Sequence, residues 1–166
     1  MTHYKRLLQI LAWLAVAAWM IVIFSMSNQK ADESSELSTS TTEIILAQVY
    51  PDFESLTESE QQELVANAEY ATRKTAHMTE YLVLSALITV ALLFNKIEPV
   101  KRAAVTVCIC CAYAVTDELH QLFIDGRSPR VTDVLIDTLG AVVFAAIYLL
   151  AVFLIKKRKE KKLMQK

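Results

Sequence analysis

Four long apolar segments dominate the chain and restrict the folds open to it. They cover residues 7–26, 76–94, 103–124 and 131–155. Each approaches the roughly 20 residues that an α-helix needs to cross the hydrocarbon core of a bilayer. Because unpaired backbone groups are costly in lipid, such segments cross it as helices. The sequence therefore predicts an all-α polytopic membrane protein whose four transmembrane helices form a bundle.

Two other interpretations of the apolar segments are open. Within the middle segments only residues 81–94 and 103–116 are free of charge, and about 14 apolar residues also suit a buried helix of a soluble protein. A small soluble globule would, however, also have to bury residues 7–24 and 138–155. The first segment resembles a signal peptide, but its apolar run exceeds the usual length of about 7 to 15 residues. Four uncleaved spans are the favoured interpretation.

The basic residues predict the orientation of these spans. The termini and the loop between spans two and three carry 12 of the 17 lysine and arginine residues, whereas 16 of the 18 acidic residues lie on the other side. Loops rich in lysine and arginine stay in the cytoplasm. We therefore expect a multi-pass protein of the cell membrane with both termini cytoplasmic, including the basic tail, residues 156–166.

The outer segment, residues 27–75, is predicted to be partly helical. The stretch STSTTEIILAQVYPDF begins with Ser and Thr and has Pro51 near its end, as is typical of a short helix. Thr57 and Glu60 have the spacing of a capping box that opens a second helix. That helix either continues into the second span or bends near Arg73. Together, residues 1–166 are expected to form a single domain.

Polar side chains accumulate at the outer ends of the spans. Residues three and four apart share one face of a helix, so each of the last three spans has one polar stripe. Ionised groups that face lipid are costly, so these stripes are expected to point into the bundle. The stripes are Arg73, His77 and Glu80 on span two, Glu118 and Gln121 on span three, and Asp133, Asp137 and Gly140 on span four.

The polar cluster permits an acid/base interpretation. A histidine and a partly buried carboxylate would transfer protons while cationic residues bind an anionic headgroup. Gly126 and Pro129 favour a tight turn that presents two arginines. The candidates for catalysis are His77, Glu80, Glu118, Asp133 and Asp137, and those for substrate binding are Arg73, Lys74, Gln121, Arg127 and Arg130.

A metal site, a structural plug and a proton relay are the other interpretations. His77 and Glu80 are three residues apart, and His120 could complete a mixed nitrogen and oxygen shell. No H-E-x-x-H motif or cysteine pair accompanies them, so no metal or other cofactor is expected. A plug would only fix helix register. A relay for transport would need a path of ionisable groups beyond Leu82, which residues 82–94 of span two lack.

The order of three stretches, FSMSNQ, RKTAHMTEYLVLSAL and TDELHQLFIDGRSPRVTDVLIDTLGA, resembles the VanZ-like family of bacterial membrane proteins over residues 24–155. The resemblance implies a polytopic protein of the bacterial cell envelope. The family takes its name from an accessory protein of glycopeptide-resistance clusters, linked to teicoplanin resistance. No reaction can be carried over, so the matched positions are motif residues only. They are Lys74, His77, Glu80, Tyr81, Glu118, Gln121, Gly126, Arg127, Asp133 and Asp137.

The expected function combines the polar cluster with this resemblance. An outward-opening pocket between spans two, three and four would engage a membrane lipid, a lipid-linked cell-wall precursor or a glycopeptide, and would change susceptibility to teicoplanin-type antibiotics. The alternatives are a membrane-embedded metal or acid/base hydrolase or transferase acting on an envelope lipid, a purely structural protein, and a small transport protein. The basic tail lacks interleaved aromatic residues, so nucleic-acid binding is not expected. The oligomeric state is open.

Overall fold

The computed structural model describes residues 3–164, which form α-helices, one short 3-10 helix and, within that range, no strand. Four of the five α-helices in this range are long and apolar enough to cross a membrane, which gives four candidate spans. The predicted all-α fold with four spans is confirmed. Residues 1, 2, 165 and 166, at the ends of the predicted domain and basic tail, lie outside the described range. The helices are α1 (His3–Ser27), α2 (Ala31–Val49), the 3-10 helix (Phe53–Ser55), α3 (Glu58–Leu92), α4 (Pro99–Gln121) and α5 (Val131–Met164).

Several helices extend beyond the apolar segments that predicted them. α3 runs without a break from Glu58 to Leu92, so the outer helix and the second span are one helix. The Thr57 side chain accepts a hydrogen bond from the Glu60 N–H, and the Glu60 carboxylate accepts one from the Thr57 N–H, which completes the predicted capping box. α5 likewise continues through the basic tail to Met164. Hydropathy detects only the apolar part of a helix, whereas lysine, arginine and glutamate also favour helix formation.

α2 lies across the outer part of α3. It begins at Ala31, seven residues before the predicted start at Ser38, and its first turn carries acidic residues that suit a helix N-terminus. A small apolar contact under it buries Phe53 and Val65, together with the Thr42 side chain. α2 is therefore a cover over the outer end of the bundle and not one of the candidate spans.

The closest approach of two helices joins α3 and α5 at Gly140. A Cβ atom on Gly140 would lie 2.0 Å from the backbone oxygen of Met78. The Ser85 hydroxyl donates a hydrogen bond of 3.2 Å to the backbone oxygen of Ala141 on the next residue of α5. Small residues allow membrane helices to pack backbone against backbone. This contact sets the position of Asp137, which lies one turn earlier on α5.

α1 packs on the bundle through Val16 and Ile23, and hydrogen bonds fix the end of α1 near the polar stripes. The Trp19 indole N–H donates to the backbone oxygen of Glu80 at 2.9 Å, and the Tyr113 hydroxyl donates to that of Met20 at 2.6 Å. The Gln121 side chain donates to the Ser27 hydroxyl at 2.9 Å. These bonds place the end of α1 beside the polar stripes of α3 and α4.

Arg102 closes the opposite end of the bundle. Its guanidinium donates to the backbone oxygens of Leu92 at 3.2 Å and Ile97 at 2.7 Å, and to the Tyr148 hydroxyl on α5 at 2.5 Å. A cation suits the free carbonyl groups at the end of α3. Gln9, near the start of α1, donates a hydrogen bond into the same turn. The start of α1, the α3–α4 turn and the tail of α5 thus share one end of the bundle, and the polar stripes lie at the other.

Candidate functional site

Two adjoining clefts open at the polar end of the bundle. The first, called the apolar cleft, has a volume of about 280 Å³ and a mainly apolar exposed surface. It lies between α1, the cover α2 and α3, with α4 at its base. Its lining consists of Ile23, Met26, Ser27, Gln29, Ser34, Leu37, Ser38, Thr41, Thr72, Arg73, Ala76, His77, Glu80 and Asp117.

The second cleft, called the cationic cleft, has a volume of about 190 Å³ and adjoins the first. Arg73 and His77 line both clefts. All five residues predicted to bind substrate lie here, which brings four cationic side chains to one opening. The lining consists of Ala31, Tyr70, Arg73, Lys74, His77, Gln121, Gly126, Arg127, Ser128, Arg130 and Asp133.

The cations of this cleft differ in how far they are neutralised. Lys74 forms an ion pair of 2.6 Å with Asp133. Arg127 donates from Nε to the backbone oxygen of Gln29 at 3.2 Å. Neither Arg127 nor Arg130 forms an ion pair within residues 3–164. Two guanidinium groups are therefore available to a ligand.

Arg127 is the best-placed of the available cations. Burial lowers the pKa of its guanidinium, and the nearby charge of Arg73 lowers that pKa further. The charges of Asp117, Glu118 and Asp133 raise the pKa by a smaller amount. An arginine remains protonated at neutral pH all the same. A cation that has lost part of its solvation and is repelled by a second cation gains when an anion enters the cleft.

The loop that carries Arg127 and Arg130 is held in place at both ends. Gly126 has a φ of 76°, a conformation that favours glycine, and an added Cβ would lie 3.0 Å from the Cβ of Ala31. At the other end the backbone N–H of Arg130 donates to the Glu118 carboxylate at 2.8 Å. The two arginines are thus presented by a fixed turn, as the Gly-x-x-Pro spacing predicted.

Arg73 fastens α2 over the apolar cleft. Its Nη2 atom donates to the Ser35 hydroxyl at 2.9 Å and the Ser38 hydroxyl at 3.0 Å, both on α2. The same atom lies 2.7 Å from the Glu69 carboxylate on α3, and Ser38 also donates to that carboxylate at 2.6 Å. One arginine that lines both clefts therefore supplies several of the bonds that attach the cover.

Carboxylates lie behind His77. Its Nδ1 atom is 3.8 Å from the Asp137 carboxylate and 4.0 Å from that of Glu80. Asp137 is only 1% exposed, and Asp117 from α4 is 4% exposed. Both aspartates lie within electrostatic range of the Tyr81 hydroxyl. Glu80, Asp117, Asp137 and Tyr81 are called the buried carboxylate group below.

The predicted catalytic candidates are brought near one another but have different surroundings. His77 and Glu80 face the apolar cleft, and Asp133 faces the cationic cleft. Asp137 is buried beside His77, whereas Glu118 is occupied by the backbone of Arg130. Proton transfer to a ligand is therefore geometrically open to His77 and Glu80 and is much less open to Glu118.

The metal set of His77, Glu80 and His120 is not assembled. Among the described residues no three His, Cys, Asp or Glu side chains form a group that could hold a metal ion. His120 instead packs its ring against Phe24, with centroids 4.4 Å apart, and lies 3.2 Å from the Asn28 side chain. His120 lies on α4 and faces the end of α1. The spacing of His77 and Glu80 within α3 could not show that His120 points away from them.

Asp117 is the residue of the site that sequence reasoning omitted from its candidates. It lies four residues before Gln121 and so shares the face of α4 that points into the bundle. The four-residue spacing of Asp117 and Gln121 places both on one face, but the three-residue spacing of Glu118 and Gln121 does the same. Spacing alone therefore favours neither acid. Both acids are buried in the structure.

One comparison with known proteins gives a match. A family model described as VanZ/LLP1 matches residues 12–154. No curated protein and no solved structure matches the chain. The matched range begins in α1 and ends in α5, and it includes every residue that lines the two clefts.

Proposed function

The chain belongs to the VanZ/LLP1 family, and we propose that this membrane protein binds an anionic lipid of the cell envelope at its two clefts. The lipid phosphate occupies the cationic cleft, and the first part of its apolar chain occupies the apolar cleft. The observation that carries the proposal is the contact between the clefts, which share Arg73 and His77. A ligand that fills both must be anionic at one end and apolar at the other.

The charges support a phosphate as the anionic group. Arg127 and Arg130 are free of ion pairs among residues 3–164, and guanidinium groups bind phosphate with paired hydrogen bonds. Lys74 is already paired with Asp133 and supplies a weaker, adjustable contact. Membrane lipids and lipid-linked cell-wall precursors both present phosphate next to an apolar chain, so they are the proposed partners. A glycopeptide would bind only through such a lipid.

The clefts are proposed to face outward. The basic residues at the opposite end of the bundle favour a cytoplasmic position for the α3–α4 turn and both termini. In this orientation in the cell membrane, the protein meets lipids of the outer leaflet. We further propose that holding such a lipid is how it alters susceptibility to teicoplanin-type glycopeptides.

A cell assay tests this proposal. Arg127→Gln and Asp137→Asn are each expected to keep a folded membrane yield near that of the wild type while susceptibility to teicoplanin shifts to that of cells without the protein. Lys159→Gln, which removes an exposed cation from the tail of α5, is the matched control and should leave both readouts unchanged. Yield and phenotype falling in step would identify the cluster as a structural plug.

A membrane-embedded enzyme is the second candidate, and the position of His77 favours it. His77 lines both clefts, and its Nδ1 atom is 3.8 Å from Asp137. In a hydrolase or transferase, His77 would act as acid or base beside a phosphate held by Arg127, and Asp137 would orient its ring. Turnover of a defined phospholipid that His77→Gln abolishes while binding persists would support this activity. Binding without turnover would argue against it.

A further inference from the structure

The buried carboxylate group contains polar atoms without partners. The Oδ1 atoms of Asp117 and Asp137 and the hydroxyl of Tyr81 are buried, and none has a hydrogen-bond partner in the part of the chain that is described. Tyr81 is fully buried. Buried polar groups in a folded protein are almost always paired, and leaving one unpaired is unfavourable. Two acceptors and a hydroxyl that can donate or accept thus lie within electrostatic range of one another without a hydrogen bond.

None of these side chains forms an ion pair with a lysine or an arginine within residues 3–164, although the charge of Arg127 acts on Asp117 from a greater distance. Over residues 3–164, Lys74 pairs with Asp133 and Arg73 pairs with Glu69, and the group nearest to Asp137 with a positive form is His77 at 3.8 Å. Glu80 and Asp117 both interact electrostatically with Asp137. A plug that only fixed helix register would pair these groups with one another. This arrangement instead suits a positively charged ligand group.

A ligand can reach this region from the clefts. Glu80 and Asp117 line the apolar cleft, which shares Arg73 and His77 with the cationic cleft. A headgroup whose phosphate lies against Arg127 can therefore direct its other end past His77 toward Asp117. Arg127 and the carboxylates would then contact opposite charges of one ligand.

We propose that the buried carboxylate group is a subsite for a primary ammonium group, so that the lipid whose anionic phosphate is bound also carries an amine, as an aminophospholipid does. This inference rests on the proposed function, because the phosphate of the same lipid occupies the cationic cleft. A primary ammonium has three N–H donors, and the Glu80 and Asp117 carboxylates that line the apolar cleft can accept them, while Asp137 and Tyr81 lie buried behind. A quaternary ammonium has no donor, and a glycerol headgroup has no charge.

The test compares three short-chain lipids on the purified full-length protein in detergent micelles by titration calorimetry. The probes are dihexanoyl phosphatidylethanolamine, phosphatidylcholine and phosphatidylglycerol. The ethanolamine lipid is expected to bind at least about tenfold more tightly than the other two, since it alone forms charge-assisted hydrogen bonds to buried carboxylates. Asp117→Asn should remove that advantage, so that this variant binds phosphatidylethanolamine and phosphatidylglycerol with equal affinity. Asp125→Asn, on the exposed loop, is the control and should bind like the wild type.

The outcomes separate this inference from the proposed function. If phosphatidylglycerol binds as tightly as phosphatidylethanolamine and both depend on Arg127, the ammonium subsite is refuted and lipid binding stands. An ethanolamine preference that survives in Asp117→Asn also refutes the subsite. If none of the three lipids binds, the subsite and the proposed function fail together.

Discussion

Gly140→Ala is expected to lower the free energy of unfolding by about 3 kcal/mol and to remove most of the folded protein from the membrane. The added Cβ would lie 2.0 Å from the backbone oxygen of Met78, and that atom cannot swing aside as a flexible side chain could. α3 and α5 must separate to admit it. Separation would also strain the Ser85 hydrogen bond to Ala141. The steric loss exceeds the gain of about 1 kcal/mol that alanine has over glycine in a helix.

The matched control for this substitution is Ala146→Leu. Ala146 lies on α5 with an exposed side chain, so the larger residue adds apolar surface without meeting α3. Unfolding midpoints in detergent and the fraction of monodisperse protein compare the two variants. Gly140→Ala protein with the stability of the wild type would mean that α3 and α5 do not pack this closely.

Arg73→Ala is expected to release the cover α2. The variant loses hydrogen bonds to Ser35 and Ser38 and the ion pair with Glu69. A hydrogen bond from a charged group contributes about 1.5 to 3 kcal/mol, and the three contacts share one Nη2 atom and do not add, so amide hydrogens of α2 should exchange with solvent about tenfold to a hundredfold faster. α3, α4 and α5 should keep their protection because their contacts do not involve this arginine. Hydrogen exchange read by mass spectrometry resolves the two regions.

Gln62→Ala provides the comparison for the cover. Gln62 lies on the outer part of the same helix α3, and its side chain is exposed. Its exchange pattern should match that of the wild type. Unchanged protection of α2 in Arg73→Ala would show that the small contact of Phe53, Val65 and Thr42 holds the cover without the arginine.

The bundle could be predicted from hydropathy, but the extent of its helices could not. Four apolar segments were sufficient to predict four spans. α3 extends outward to Glu58 and α5 extends to Met164 through polar sequence, where no apolar run marks the helix. The early start of α2 at Ala31 has the same cause. In polar sequence the capping residues mark a helix end better than hydropathy does, as Thr57 and Glu60 do for the start of α3.

The site could be predicted wherever one helix supplied the pattern. Helical spacing grouped Arg73 with His77, and both line the two clefts. Spacing could not tell that Arg73 would bond to Ser35, which lies 38 positions earlier in the chain. Spacing also could not show which of Asp117 and Glu118 lines a cleft. Adjacent residues of a helix point in different directions, and the positions of the neighbouring helices determine that Asp117 does. His120, on the same helix, lies against Phe24 and Asn28 of the α1 end for the same reason.

Binding of an anionic phospholipid is the central claim, and the most direct measurement is a titration of short-chain phosphatidylglycerol into purified protein in micelles. Arg127→Gln is expected to weaken binding about tenfold or more, because a half-buried guanidinium without an ion pair among residues 3–164 would be lost. Lys159→Gln, in the exposed tail, should bind as the wild type does. Equal affinity in all three proteins would contradict the claim, since the lipid would then be held by the micelle or by general attraction and not by the cationic cleft.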